Sequence, residues 1–284
     1  MTILNKNWPV EFPFPTVIRT VVCNDLDETY IPSDSDKKNW GGVVQLEAYI
    51  TSHAEKKGIL AGWITGTNLD SAWRKSRGYI SRSPHFICCS LGTEFYWVKN
   101  GRLIPSETWA ERISRSGYSR QNVNCLVKIL MEKEIPLLKQ PEDYQGPFKV
   151  SYYYPESPSI ASDFATIQEL ADERRIRVVF TRCNPAAGDP PGCYDVEFIP
   201  LCCGKDQAVS FLMEETGLPK EAIIAFGIRR QLVLPTRANY TGRTLQCDIK
   251  SRLLLPSLSF SCSFHLSVRT YIRDGSAGLP PPPP

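Results

Sequence analysis

Two aspartates two residues apart, Asp25 and Asp27, close the β-branched run TVIRTVVCNDL over residues 16–26, and Thr29 follows two further on. Carboxylates this close repel, so one keeps its proton unless a cation holds both ionised. Such a pair can provide a nucleophile and a general acid, with Mg2+ as the natural neutralising ion because it takes hard oxygen ligands. The same residues also suit the first turn of a helix, where Asp, Glu and Thr satisfy free N–H groups. A second apolar run, GILAGWI, ends in Thr65-Gly66-Thr67. A hydroxyl beside a glycine can reach a phosphoryl oxygen unhindered, or it can cap a helix. Lys205 follows Gly204 at a helix start, where a cation can bridge phosphate and carboxylate or simply face water.

The elements around these residues read as an α/β protein. The run over 16–26 predicts a central parallel strand. A helix is expected over 43–57, a strand over 59–64, a further helix from near Asn68, and a strand–turn–strand in PHFICCSLGTEFYW. Residues 100–200 have a different texture. A helix near 121–134, the strand KVSYYY, a helix over 161–175 and the strands IRVVF and YDVEFIP predict an α+β insertion. KDQAVSFLMEETG then reads as a short helix stopped at Gly217, and EAIIAFG as the next strand. In an open α/β sheet ligands bind at the carboxyl ends of strands, so the chain ends of these runs are where chemistry is expected.

Taken in order, these pieces resemble the haloacid dehalogenase phosphohydrolase superfamily. DLDET matches its DxDxT nucleophile motif, ITGT its second motif and Lys205 its third. More narrowly, the chain is similar to the sucrose-phosphatase-like group, which carries a large C2-type cap between the second and third motifs. DLDETYIP, GWITGT, PHFI with LGTE, RCNPAAGDP, YDVEFIP and IAFG carry that resemblance across residues 16–227. It implies a Rossmann-like core with a parallel sheet, built from residues 1–100 and 201–227, and an inserted α+β cap over 101–200. It also implies a Mg2+-dependent sugar-phosphate phosphatase. Asp25 would attack phosphorus, form an aspartyl phosphate and ligate Mg2+. Asp27 would protonate the leaving oxygen, then activate water, and offer its main-chain carbonyl to the metal. Thr65 and Lys205 would hold the phosphoryl oxygens, with Thr29, Gly66 and Thr67 as further substrate-binding positions. Lys149, Arg182, Asn184 and Asp189 fall in cap stretches and are candidates for gripping the sugar. Each could instead tie down a cap loop, and Asp189, followed by two prolines, suits that role equally.

The resemblance stops at Gly227. The family's fourth motif, typically GDSGND, would begin there and complete the Mg2+ site, whereas this chain reads GIRRQL. From Ile228 to Pro284 eight basic residues face two acids, Asp248 and Asp274, and the sequence closes on five prolines. Residues 228–284 therefore read as an aberrant basic tail, expected to be poorly ordered. A shifted reading frame or a misplaced exon boundary would produce such a junction. Two other functions stay in play: a sugar-phosphate binder without turnover, and an interaction protein docking through its basic, proline-ended tail.

Composition narrows the rest. The net charge of +3 over 284 residues gives no reason to expect nucleic acid. No apolar run approaches the roughly 20 residues that span a bilayer. The opening MTILNKNWPVEFPFP lacks the apolar stretch of an export signal, so a cytoplasmic protein is expected. The ten cysteines include Cys88–Cys89 and Cys202–Cys203 but no CxxC, which predicts reduced, mostly buried thiols. His53, His85 and His265 form no metal-ligand spacing.

Overall fold

The computed structural model describes residues 7–31, 40–185 and 188–227, together with the backbone of two three-residue strands at 245–247 and 268–270. Apart from those strands, the tail whose order was expected to be poor lies outside the described residues. In chain order the elements are β1 (Thr20–Asn24), α1 (Trp40–Lys57), β2 (Ile59–Ile64), α2 (Leu69–Ser76), β3 (Phe86–Cys89), β4 (Glu94–Lys99), β5 (Arg102–Pro105) and α3 (Glu107–Ser114). There follow α4 (Arg120–Glu132), β6 (Leu138–Lys139), β7 (Val150–Pro155), α5 (Ile160–Glu173), β8 (Ile176–Arg182), β9 (Cys193–Pro200), α6 (Lys205–Thr216) and β10 (Ile223–Phe226).

Ten of the strands form two sheets. The first has the order β10-β1-β2-β3-β4-β5. Its first four strands are parallel, and β4 and β5 turn back antiparallel. Alternation along the strands sends side chains to two covered faces. Val21, Cys23, Leu60, Ile64 and Cys88 pack with Trp109 and Ile113 of α3 and with Phe211 and Leu212 of α6. Trp63, Ile87 and Cys89 pack on the other side with Val43 of α1 and Leu69 and Ala72 of α2. Adjacent Cys88 and Cys89 thus serve opposite faces, as the two-residue period of a strand requires. Although β5 and α3 fall within the inserted segment by number, their hydrogen bonds and packing place them with the first sheet.

The second sheet is antiparallel, in the order β6-β7-β9-β8. One face is apolar: Val150, Tyr152, Tyr154, Val178, Phe180, Tyr194, Val196 and Phe198 pack under Leu126 and Leu130 of α4 and Phe164 and Ile167 of α5. The opposite face turns toward the first sheet. Val179 and Ile199 join the core packed on α6, and Arg177 pairs with Asp206 of α6 at 2.7 Å. Register places the polar residues Tyr153, Thr181 and Asp195 side by side on that face, with Ser151 and Glu197 one step along. The second sheet is therefore a roof with a dry back and a polar underside.

Candidate active site

The two aspartates stand where β1 ends, and local hydrogen bonds explain how they are held. Asp25 N–H continues the ladder by donating to Phe226 O at 2.8 Å. The chain then curls: Tyr30 N–H donates to Asp25 O and Ile31 N–H to Leu26 O. Leu26 and Tyr30 are buried and anchor the loop, Tyr30 packing on Trp63 and donating its hydroxyl to Glu47. With its apolar residues turned inward, the loop presents Asp25, Asp27 and Glu28 outward.

Each carboxylate meets a lysine. Lys205 Nζ donates to Asp25 Oδ2 at 2.5 Å, and Leu26 N–H to Asp25 Oδ1 at 2.9 Å. Lys75 Nζ donates to Asp27 Oδ1 at 2.6 Å, and the Thr67 hydroxyl donates to Asp27 Oδ2. The Asp25 side chain is 14% exposed and that of Lys205 36%. Thr65, almost fully buried, sits just past β2, its N–H bound to Cys88 O. Thr67 N–H donates to Thr65 Oγ1 at 3.1 Å, which leaves the Thr65 hydroxyl proton free for an acceptor. Gly66 lies close under Leu91, where an added Cβ would come within 3.2 Å.

Asp25, Asp27, Thr65, Gly66, Thr67 and Lys205 thus converge at one sheet edge. The remaining positions predicted from sequence are more dispersed. Thr29 has a buried hydroxyl without a hydrogen-bond partner among the described residues. Lys149 lies beneath the roof, 6% exposed, and is paired with Glu197 at 2.9 Å. Asn184 bridges to the loop that carries Asp25 and Asp27, donating Nδ2–H to Glu28 Oε1 at 3.1 Å. Asp189 accepts Asn184 N–H at 2.8 Å and so braces its own loop. Arg182 does not join the site. It is in register with Tyr194 on the helix-covered face of the second sheet, exposed, and paired with Glu156.

Three residues of the site escaped the sequence reading: Lys75, Glu28 and Asn68. Glu28 stood in plain view within DLDET. Asn68 caps α2 through Ser71 N–H and also donates to Asp143 O under the roof at 2.8 Å. Lys75 carries no local signal, since its partner is 48 positions away.

Asp25 and the Asp27 carbonyl offer hard oxygen donors of the kind Mg2+ takes, and Mg2+ commonly uses one or two carboxylates with water and phosphate completing its shell. The residues present fit it as a two-ligand site. Among the described residues, the three ligand-bearing side chains whose ligand atoms lie within 4.8 Å of one another are Cys183, Asp189 and Asp195, in the roof. His85 is occupied structurally, accepting Ala61 N–H at Nδ1 and facing Phe12 O through Nε2. The eight described cysteines are all free thiols, five of them buried.

Residues 18–230 match the family model of sucrose-6F-phosphate phosphohydrolase. The chain belongs to that family. The chain is 35% identical over 212 residues to kanosamine-6-phosphate phosphatase of Bacillus subtilis, a match covering 73% of this chain and 75% of the relative. It is similar in structure to a haloacid dehalogenase-like hydrolase protein of Bacillus subtilis, with TM-score 0.59 and 32% identity over 78% of this chain and 79% of the other. The sucrose-phosphatase of Synechocystis sp., solved with sucrose and phosphate, shares the fold at TM-score 0.56 and 17% identity, covering 74% and 75% of the two chains. This member of the sucrose-6F-phosphate phosphohydrolase family is accordingly a phosphoric monoester hydrolase of the haloacid dehalogenase type, on a Rossmann-like core. No helix among its described residues is long and apolar enough to cross a membrane.

Proposed function

We propose that this chain hydrolyses a sugar phosphate through a phosphorylated Asp25. The observation that carries the reading is the meeting of Asp25, Asp27, Thr65 and Lys205 at one sheet edge, under a polar roof. Asp25 Oδ attacks phosphorus, the bond from phosphorus to the sugar oxygen breaks, and Asp27 gives that oxygen its proton. Water then attacks the same phosphorus, its proton passing to Asp27, and the bond to Asp25 breaks to release phosphate. The Thr65 hydroxyl and the three-donor Lys205 ammonium hold phosphoryl oxygens, while Thr67 and Lys75 fix the rotamer of Asp27. Positioning and charge neutralisation carry most of the rate in phosphoryl transfer.

Mg2+ bound by the Asp25 carboxylate and the Asp27 carbonyl would supply further positive charge to the phosphoryl group. With GIRRQL starting at Gly227, that site has fewer acids than the family pattern, and activity requires high Mg2+. The same observation favours a second reading, a sugar-phosphate binder that does not turn over. The roof, including Lys149, Asn184 and Asp189, is the specificity cap, and the chain acts in the cytosol on hexose phosphates, the kanosamine 6-phosphate of its Bacillus relative among them.

Phosphate release from hexose 6-phosphates, with and without Mg2+, tests this against the Asp25→Asn variant. Turnover lost in Asp25→Asn supports the enzyme. A folded chain that binds these compounds without releasing phosphate decides for the binder.

A further inference from the structure

Ser90 and Leu91 stand one after the other in the left-handed region, at φ 51° and 58°. Side chains other than glycine take that conformation at a cost. With Gly92 they form the tight turn between β3 and β4, and both are buried. Strain of this kind persists only where neighbours over-determine it, and it gathers at functional sites. Here the turn grips the segment that carries the site's two threonines. Ser90 N–H donates to Thr67 O at 2.9 Å and Leu91 N–H to Thr65 O at 3.2 Å, one on each side of Gly66. The Leu91 side chain closes over Gly66 itself. Thr67 in turn donates its hydroxyl to Asp27. At its far end the turn packs Gly92 against Gly204, the residue before Lys205, and Gly92 O accepts the Trp109 indole N–H at 2.9 Å.

The strained conformation is held from β4. The Ser90 hydroxyl donates to Glu94 Oε1 at 2.7 Å, and the Tyr96 hydroxyl fixes the same carboxylate by donating to Oε2 at 2.6 Å. The Thr93 hydroxyl donates to Ser90 O at 2.9 Å and secures the other side. Resting on the phosphatase reading, we propose that Glu94 is a positioning residue for the reaction. By holding Ser90 in the left-handed region it sets the Thr65–Thr67 segment, and through Thr67 the rotamer from which Asp27 protonates the leaving oxygen. Hydrogen bonds to a carboxylate are stronger than neutral ones, which suits Glu94 to holding a strained backbone. A displaced Asp27 matters only as far as the leaving group needs a proton. A sugar alkoxide needs one, whereas p-nitrophenolate is stable enough to depart without it. Loss of Glu94 therefore falls unequally on the two kinds of ester.

The test is kcat/KM of the full chain at saturating Mg2+. One substrate is p-nitrophenyl phosphate. The other is glucose 6-phosphate or kanosamine 6-phosphate, whichever the parent turns over faster. Glu94→Ala should lower kcat/KM about tenfold or more for the sugar phosphate and at most about threefold for p-nitrophenyl phosphate. The ratio of the two losses does not depend on how much of a preparation is folded. Glu94→Gln, which keeps an oxygen for the Ser90 hydroxyl, should recover most of the sugar-phosphate rate. Ser90→Ala should repeat the pattern of Glu94→Ala, and Ser90→Gly, which takes φ 51° freely, should lose less. Urea midpoints identify any variant that does not fold; if Glu94→Ala is one, the two Ser90 variants decide. Equal losses on both substrates, or Ser90→Gly no better than Ser90→Ala, overturn the assignment while the phosphatase reading stands. A parent that releases phosphate from neither sugar phosphate brings down the phosphatase reading and the assignment with it.

Discussion

Asp195 shows how a single residue can oppose the fold that contains it. Its carboxyl is pushed up to about 6 from an ordinary 3.8, by burial first and by Glu197 and Asp189 next. Between about pH 4 and 6 the folded chain consequently holds more protons at this site than the unfolded chain. Stability falls as pH rises through that window and stays reduced above it. At 1.36 kcal/mol per pKa unit the reduction is on the order of 1–3 kcal/mol. Asp195→Asn keeps the oxygen that accepts from Gln140 and removes the charge. The variant should therefore exceed the parent in urea midpoint at pH 7.5, and the difference should vanish near pH 4. A variant no more stable than the parent at pH 7.5 would mean that the folded protein already compensates the charge.

At the scale of elements, the position of Lys205 depends on two glycines. Gly204 has φ 125° and ψ 161°, a region open in practice only to glycine, and an added Cβ would lie 2.7 Å from the Arg177 guanidinium and from Asp206. Gly92 comes so close to Gly204 that a Cβ there would be 2.8 Å from its backbone nitrogen. Gly204→Ala should destabilise the protein by about 1–3 kcal/mol and lower kcat more than it raises KM, because Lys205 starts α6 immediately afterwards. A denaturant titration and steady-state kinetics on one preparation separate the effects, and an unchanged kcat would show that the Lys205 position does not rest on this turn. Much of this frame was legible in sequence. The β-branched run before Asp25, the apolar run before Thr65 and the stop at Gly217 all correspond to element ends. What escaped were elements with too little pattern. In β5 only Leu103 is buried, and in α3 only Trp109 and Ile113 are, so pairing with β4 and packing on α6 define them rather than periodicity. The direction of β4 and β5 was equally hidden, since a short buried strand reads alike in either orientation. YDVEFIP reads as a strand, but which of its faces is covered depends on the packing of α4 and α5.

Across the whole molecule, two polar contacts bring the roof against the sheet edge: Asn68 to Asp143 O and Asn184 to Glu28. Each joins residues far apart in sequence. At that edge Lys205 pairs with Asp25 and Lys75 with Asp27, and Glu28 of the same loop accepts from Asn184. A phosphate dianion arriving there has to share those lysines, so added positive charge from Mg2+ matters more here than in a site with spare cations. In the proposed site Mg2+ would be held by oxygens of Asp25 and Asp27. Gly227 marks where a further ligand would belong, since a Cβ on it would lie 3.3 Å from the Asp25 Cβ. The next residue in sequence is Ile228, at the point where the related motif GDSGND has its first acid. Ile228→Asp should therefore lower the Mg2+ concentration for half-maximal phosphate release by about tenfold, equivalent to about 1.4 kcal/mol of metal binding. Ile228→Asn, similar in shape but uncharged, should gain much less. Titrating Mg2+ against both variants and the parent, at saturating sugar phosphate, reads the difference directly. If Asp and Asn at 228 behave alike, the metal is not held from this strand end, and the Asp25–Asp27 loop alone sets its affinity.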